Sequence, residues 1–193
     1  SPGAEATAQN AGMVRRLGED PAERALAMRT HAFLTRPGDD WEGLSVSTVT
    51  GALLGLAHDP FYLHDAVAHV RQHGVQVEAL STADVTTRAP ALRGTRLQQA
   101  WWLPEERVAD PHALLTGYLR GLRRMNAEVR CGVRVLSLRS ESGRIVGVET
   151  DQGSIDATQV VLAAGAWSAT LAETVGVRRP LFPLRRSVLT HMP

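Results

Sequence analysis

Apolar residues recur three or four positions apart in two stretches of the chain, which is the spacing of a helix with one buried face. Leu63, Val67 and Val70 form the first stripe, and Gly74 is placed to end that helix. The second stripe is Leu115, Leu119 and Leu122, with Arg120, Arg123 and Arg124 near its end. Arginines suit the negative end of a helix, so the pattern predicts two amphipathic helices.

Pairs of aspartate and proline indicate where helices begin. The pairs are Asp20-Pro21, Asp59-Pro60 and Asp110-Pro111. Aspartate caps free backbone N–H groups and proline suits the first helical turn, so each pair predicts a helix start. Ser81 and Asp84 have the spacing of a capping box, which predicts a further short helix that stops before Pro90.

Alternating apolar positions predict strands in the later part of the chain. The segments in order are a strand with Val133, Val135 and Leu138, a turn at 141–144, a return strand at 145–150 and a turn at 151–153. This succession predicts a small antiparallel meander. The earlier stretch 44–57 is also predicted to be strand, and 35–40 is the expected crossing between domains.

The segment from Val160 to Ala164 is apolar at every position, unlike the alternating strands. Such a run predicts a parallel strand that is covered on both faces. A helix is expected after it, with Trp167, Leu171 and Val175 on one side and Gly176 past its end. Ligands bind beyond the carboxyl ends of parallel strands, so the glycine here favours a ligand site, although glycine also serves packing there.

Composition excludes several functional classes. The 193 residues are 44% hydrophobic and 21% charged with a net charge of +1, so no nucleic-acid or membrane-surface partner is expected. No apolar run is long enough for a transmembrane segment. All 21 cationic residues are arginine, which excludes a P-loop and Schiff-base chemistry. The single cysteine, Cys131, excludes an internal disulfide and favours a cytoplasmic location.

The order of four segments carries a family resemblance. They read VADPHALLTGYLRGLRR, AEVRCGVRVLSL, GRIVGVETDQGSI and QVVLAAGAWSATLAETVG, and ATAQNAGMVR (6–15) and PLFPLRRSVL (180–189) agree with them. Together they resemble the D-amino-acid oxidase-like family of FAD-dependent oxidoreductases, which includes glycine oxidase, sarcosine oxidase and D-amino-acid dehydrogenases. The resemblance covers nearly the whole chain.

This resemblance implies an α/β fold of mixed character. It would comprise an incomplete FAD-binding Rossmann-like domain, with a parallel strand and a β-meander, and part of an antiparallel-sheet substrate domain. The FAD-binding portion would be residues 1–37 and 108–178. The substrate portion would be residues 41–107 and 179–193.

The resemblance also implies a cofactor, FAD, and the residues beside it. Asn10, Ala11, Gly12 and Met13 would line the flavin through backbone groups, and Val135 would meet the adenine through its main chain. Ala164, Gly165 and Trp167 would lie beside the pyrophosphate and ribityl end. Trp167 and Val135 could equally be core residues. Gln9 and Asn10 stand where some relatives carry a flavin-linking histidine, so a covalent flavin is not expected.

The implied activity is oxidation of the C–N bond of an amino acid or secondary amine by hydride transfer to flavin. The sequence has no Gly-x-Gly turn of the kind that cradles the FAD pyrophosphate. We therefore expect a fragment of a larger flavoenzyme that holds FAD weakly by itself. The catalytic residues, the exact substrate, the electron acceptor and the oligomeric state stay open. The alternatives are a non-catalytic remnant of the fold and a nicotinamide-dependent dehydrogenase.

Other chemistry-bearing residues have plainer interpretations. His64, His69 and His73 share one predicted helix, and solvated surface histidines are expected rather than a metal site. Cys131 is expected to be an inert core thiol. Trp101 and Trp102 could line a substrate pocket, but packing is the default interpretation. Ser168 lacks the motif of an acyl-transfer nucleophile.

Overall fold

The computed structural model describes residues 1–18, 20–57 and 62–185, without the side chain of Tyr62. The chain forms two compact units. One unit is Gly3–Ala127, and the other comprises Ser1–Pro2 and Glu128–Pro193.

The helices and strands follow one another in mixed order. The helices are α1 (Pro21–Thr35), α2 (Tyr62–Gln72), α3 (Thr82–Arg88), α4 (Pro111–Arg124) and α5 (Ser168–Glu173). The strands are β1 (Met13–Val14), β2 (Ser47–Val49), β3 (Ala52–Leu56), β4 (Glu78–Ala79), β5 (Gln99–Leu103), β6 (Arg107–Ala109), β7 (Val135–Glu141), β8 (Arg144–Thr150) and β9 (Gly153–Asp156). Short 3-10 turns occur at Ala6–Gln9, Asp39–Trp41, Pro90–Leu92 and Gly165–Trp167. The mixed fold class predicted from the sequence is confirmed.

The predicted helix starts depend on local capping, and the structure confirms them where it describes the residues. The Asp20 carboxylate accepts the N–H groups of Ala22 at 2.7 Å and Glu23 at 3.1 Å, with Pro21 as the first helical residue of α1. Asp110 caps α4 in the same way. Ser81 and Asp84 form the predicted capping box of α3. The Asp59-Pro60 pair lies outside the described residues.

The unit Gly3–Ala127 contains two small antiparallel sheets. Strand β6 lies between β1 and β2 in the first sheet, and β5 lies between β3 and β4 in the second. The predicted strand over 44–57 is divided between them, because Gly51 takes a left-handed φ of 66° between β2 and β3. Trp102 packs against this glycine so closely that a Cβ there would overlap its indole ring.

Among the described residues, helix α2 provides four of the nine buried residues of the larger hydrophobic cluster of this unit. Its buried face is Leu63, Ala66, Val67 and Val70, and it packs with Trp101 and Leu103 of β5. A second cluster joins the end of α1 to the start of α4 through Leu34, Trp41 and Ala113. The apolar stripe predicted for the helix after Pro60 is therefore its core face.

A buried ion pair joins the end of β1 to the turn between β5 and β6. The Arg16 Nε donates to a Glu106 carboxylate oxygen at 2.8 Å, and the two side chains are only 5% and 2% exposed. The Glu106 carbonyl also accepts the N–H groups of Thr50 and Gly51, each at 3.0 Å. Several segments of the unit thus meet at this glutamate.

The unit that begins at Glu128 contains the predicted meander. Strand β8 pairs with β7 on one side and β9 on the other, antiparallel throughout. The first turn places Ser142 and Gly143 in the left-handed region, and Thr150 closes the second by donating to the Gly153 carbonyl at 2.6 Å. The meander prediction is confirmed.

The predicted buried strand from Val160 to Ala164 is wrong. These residues form no strand, and Val161 is 89% exposed. A parallel strand needs hydrogen-bonded neighbours in register, and every strand pairing within the described ranges is antiparallel and involves other segments. The helix that follows is also shorter than expected, since α5 ends at Glu173 and Trp167 lies in the turn before it.

Two further expectations concern the chain as a whole. Among the residues that the structure describes, no helix combines the length and the apolar character that crossing a bilayer requires. The division into FAD-binding and substrate portions stays a prediction, since the two compact units are defined by packing alone.

Candidate functional site

The first group of predicted site residues, Asn10 to Met13, forms a tight turn that leads into β1. The Asn10 side-chain amide donates to the Thr7 carbonyl at 2.8 Å, and its oxygen accepts the Gly12 N–H at 2.8 Å. The asparagine therefore stabilises its own loop. Any contact of this side chain with a ligand would compete with these bonds. That the loop lines a flavin through backbone groups stays a prediction.

Gly12 is required by the close approach of two chain segments. Its φ is 65°, its carbonyl accepts the Ala109 N–H at 2.7 Å, and a Cβ at this position would overlap the Ala109 carbonyl. Both backbone polar groups of Gly12 are thus satisfied within the chain. Asn10, Ala11 and Met13 are the exposed members of the loop, and Met13 is 64% exposed.

The second group, Ala164 to Trp167, is a 3-10 turn that precedes α5. The Trp167 N–H donates to the Ala164 carbonyl at 3.1 Å, and Gly165 has a left-handed φ of 53°. A Cβ added at Gly165 would meet no atom within 4 Å, so open space lies over this residue. The Trp167 side chain is 58% exposed, so it is not a core aromatic in this structure.

Val135 is the first residue of β7 and is half-exposed at 38%. The chain before it is held by Asp151, whose carboxylate accepts the Arg134 N–H at 2.9 Å and whose N–H donates to the Arg134 carbonyl at 3.0 Å. Helix α5 packs against the same strand, with the Thr174 hydroxyl accepting the Leu138 N–H at 3.0 Å. Val135 and the Gly165 turn therefore belong to elements that are in contact.

The predicted site residues are divided between the two compact units. Asn10, Ala11, Gly12 and Met13 lie in the unit Gly3–Ala127, whereas Val135, Ala164, Gly165 and Trp167 lie in the other. Their meeting around one flavin stays a prediction.

Among the plainer interpretations, packing of the two tryptophans is supported and the buried position of the thiol is wrong. Trp101 is buried in the core, and Trp102 carries the Arg88 guanidinium 4.8 Å from its ring centroid, which supports packing for both indoles. His69 and His73 are accessible to solvent. Cys131 is exposed rather than buried, because it lies in an irregular segment before β7 and not in a strand.

Sequence reasoning missed a cavity of about 260 Å³ beside α1. Leucines line one part of it, and charged groups line the rest: Leu17, Leu54, Leu56 and Leu63, with Arg15, Asp20 and Glu23. These residues come from separate segments that only the packing of the unit brings together. The buried pair Arg16–Glu106 was missed for the same reason.

Comparison with known proteins relates these features to a family. The family described as FAD dependent oxidoreductase matches residues 1–193. The chain belongs to this family. FAD is the family's cofactor, which favours flavin over the nicotinamide alternative.

Sequence relatives within the family include amino-acid dehydrogenases. The chain is 26% identical over 189 residues to the mitochondrial sarcosine dehydrogenase of Homo sapiens, covering 94% of this chain and 21% of that protein. It is 27% identical over 121 residues to the D-amino acid dehydrogenase of Vibrio cholerae, covering 62% of this chain and 29% of that protein. The chain thus matches less than a third of the length of these curated relatives.

Solved structures show the same fold. The L-proline dehydrogenase from P. horikoshii superposes with a TM-score of 0.75 at 21% identity, covering 90% of this chain and 46% of that one. The iminodiacetate oxidase from Chelativorans sp. BNC1 superposes with a TM-score of 0.67 at 25% identity, covering 91% and 50%. The resemblance proposed from the sequence is confirmed at the level of family and fold.

Proposed function

We propose that this chain forms part of the FAD and substrate site of an enzyme that oxidises the C–N bond of an amino acid or secondary amine. The observation that carries the proposal is the family match over residues 1–193. The names of its relatives add a substrate class, since sarcosine, D-amino acids, L-proline and iminodiacetate all carry an amine nitrogen next to a carboxylate-bearing carbon.

The geometry of the Gly165 turn supports a cofactor contact there. Open space over Gly165 and an exposed indole at Trp167 fit a flat, partly apolar group such as a flavin. On the other unit, Ala11 and Met13 are the exposed residues that would face the cofactor. When bound, FAD accepts the hydride from the carbon next to the nitrogen.

This chain's own share of the reaction would be binding and orientation. Ala164 to Trp167 would offer backbone groups and an aromatic surface, and the fixed Asn10–Met13 turn would hold one side of the ring in place. The Trp167 indole would also reduce the access of water to the cofactor. No general acid or base is assigned, since none of the described residues at the two turns supplies one.

The first alternative is a remnant that keeps the fold without holding FAD. It is kept as an alternative for this chain because residues 1–193 contain no Gly-x-Gly turn of the kind that supplies backbone N–H groups to the pyrophosphate. The identities of the substrate and of the electron acceptor also stay open. A cytoplasmic location stays a prediction based on the single cysteine.

A matched pair of glycine variants tests the cofactor site. Gly165 and Gly176 both have positive φ angles, of 53° and 77°, and neither would bring a Cβ within 4 Å of another atom. Alanine at either position therefore imposes similar backbone strain. We expect Gly165→Ala to weaken FAD binding in a fluorescence titration of residues 1–193, while Gly176→Ala leaves it unchanged.

Three outcomes distinguish the proposals. Weak FAD binding by the wild-type chain that Gly165→Ala or Trp167→Ala reduces would support the site. Equal binding by both glycine variants would remove Gly165 from it. Failure of the folded wild-type chain to bind FAD at any accessible concentration would favour the remnant. If the wild-type chain does bind FAD, anaerobic bleaching of the bound flavin by sarcosine, D-alanine or L-proline would identify the substrate class.

A further inference from the structure

His69 lies near the end of α2, and His73 is the first residue after that helix, in the turn that follows. The two histidines have ring centroids 4.4 Å apart with an angle of 38° between the ring planes. His69 is half-buried and His73 is exposed, while Ala66 and Val70 on the adjoining face of α2 are fixed in the core. The two imidazoles are therefore side by side at the end of α2, where His73 is open to solvent.

A hydrogen bond selects the tautomer of one ring. The Nδ1 atom of His73 lies 2.8 Å from the backbone carbonyl oxygen of His69. A carbonyl can only accept, so Nδ1 carries the proton and the lone pair of the neutral ring is on Nε2. Histidines that bind metals typically donate their other ring N–H to a carbonyl or carboxylate in this way.

The nearest cation in the sequence does not oppose this arrangement. Arg71 lies between the two histidines in the sequence, but its guanidinium donates to the Val77 carbonyl at 3.2 Å and 2.6 Å. This contact fixes the end of the helix and directs the positive charge to a backbone oxygen.

We propose that His69 and His73 bind one divalent transition-metal ion, of the class of Cu²⁺, Ni²⁺ and Zn²⁺, through one ring nitrogen each. Histidines four positions apart are paired in helical zinc motifs, which add a third protein ligand; here His69 is on α2 and His73 directly follows it. Ring nitrogens that both lie about 2.0–2.1 Å from one ion must be neighbours, and the tilted rings of His69 and His73 are neighbours. Within the described residues no group of three potential ligands occurs, so water would complete the coordination.

This site is independent of the flavin and revises the expectation of plain solvated histidines. The Nδ1 contact also caps the end of α2, which is its structural role when no metal is bound. The two roles predict different responses to metal ions. A His73 side chain that only caps the helix would not bind a metal ion together with His69.

Calorimetric titration of the whole chain with each metal ion tests the proposal. We expect one site per chain that binds Cu²⁺ more tightly than Ni²⁺ or Zn²⁺ and does not bind Mg²⁺. His69→Ala and His73→Ala should each weaken binding by about tenfold or more. His112→Ala is the matched control, because His112 is an exposed single histidine on α4, and it should leave binding unchanged.

A second measurement uses only the wild-type chain, so it still tests the proposal if a variant fails to fold. In the wild-type chain, substoichiometric Cu²⁺ should broaden the ring-proton NMR signals of His69 and His73 before that of His112. Equal broadening of all three signals, or unchanged affinity in both single variants, would overturn the site. Loss of binding in only one of the two variants would overturn the two-ligand arrangement.

Discussion

The two compact units of this chain are stabilised in different ways. The unit Gly3–Ala127 holds both buried hydrophobic clusters, with Leu63 and Val70 almost completely buried. In the other unit, Ala172 is the one buried apolar side chain among residues 128–185. Its other larger apolar residues are half-buried or exposed, for example Val161 at 89% and Phe182 at 82%.

Regular backbone hydrogen bonding and burial of apolar side chains therefore occur separately in this chain. The three strands of the meander pair as neighbours, with register shifts between β7 and β8, yet the meander removes little apolar area from water. Burial is the dominant favourable contribution to folding, so the unit Gly3–Ala127 should dominate the measured stability. Exposed apolar residues of the other unit are more useful for binding than for stability.

The sharpest test of this contrast uses one residue type in both units. Trp41 is 9% exposed, donates its indole N–H to the Leu114 carbonyl at 3.1 Å and meets Phe33 and Tyr118 edge-on. Trp41→Ala should cost about 3–5 kcal/mol in the free energy of unfolding. Trp167→Ala, at an exposed position, should cost less than about 1 kcal/mol. Urea unfolding measures both, and equal losses would contradict the comparison.

The buried ion pair should be the next most sensitive point. Glu106→Gln leaves the Arg16 charge buried, with the exposed Glu105 at 3.6 Å as the remaining acidic neighbour. We expect a loss of about 3 kcal/mol in the free energy of unfolding. The double variant Arg16→Met with Glu106→Leu should recover most of it, because it removes both charges together. If the double variant is as unstable as the single one, the charge is not the cause.

A close contact of α4 should show a smaller effect. A Cβ at Gly117 would overlap the Trp41 indole, whereas a Cβ at Gly38 would meet no atom within 4 Å. Gly117→Ala should destabilise the chain by about 1–3 kcal/mol through overpacking. Gly38, whose φ of −72° suits any residue, is the matched control, and Gly38→Ala should be nearly neutral in the same unfolding assay.

The smallest expected effect is a pH dependence of stability that differs between the two units. Hydrogen bonds from the Arg124 guanidinium lower the pKa of Asp40, and the Arg130 guanidinium lowers that of Glu128. A lowered pKa contributes stability above the unfolded value, of about 4, and loses it as pH falls through the folded value. Asp40→Asn should therefore lower the urea midpoint at neutral pH. The midpoints of the variant and the wild type should converge as the pH falls through the folded-state pKa of Asp40.

The Glu128→Gln variant is the control for this titration. Glu128 and Arg130 are two residues apart and remain neighbours in the unfolded chain, whereas Asp40 and Arg124 are 84 positions apart. Of these two pairs, only the distant one should contribute to the pH dependence of the unfolding midpoint. A similar pH dependence in both comparisons would contradict this explanation.

Much of the fold could be predicted because its causes are local. Asp20, Asp110 and the Ser81–Asp84 pair cap helices within three residues of their own position, and the turns of the meander use Gly143 and Gly153. The order of such segments also sufficed to identify the family and its cofactor. The residues of the candidate FAD site were assigned from the resemblance, and their meeting around one cofactor stays a prediction.

What the tertiary structure alone decided depends on contacts between distant segments. Arg16 finds its partner 90 positions away, and no local pattern identifies Glu106 as that partner. The stretch 44–57 is apolar enough for one strand, but its two parts pair with β6 and β5 in different sheets. The pattern of Val160 to Ala164 predicts a buried strand, but Val161 and Ala163 are exposed and the other three residues are only half-buried. Burial requires neighbouring segments as well as apolar side chains. Local capping and turn preferences act within a few residues, whereas pairing and burial depend on what the rest of the chain places alongside.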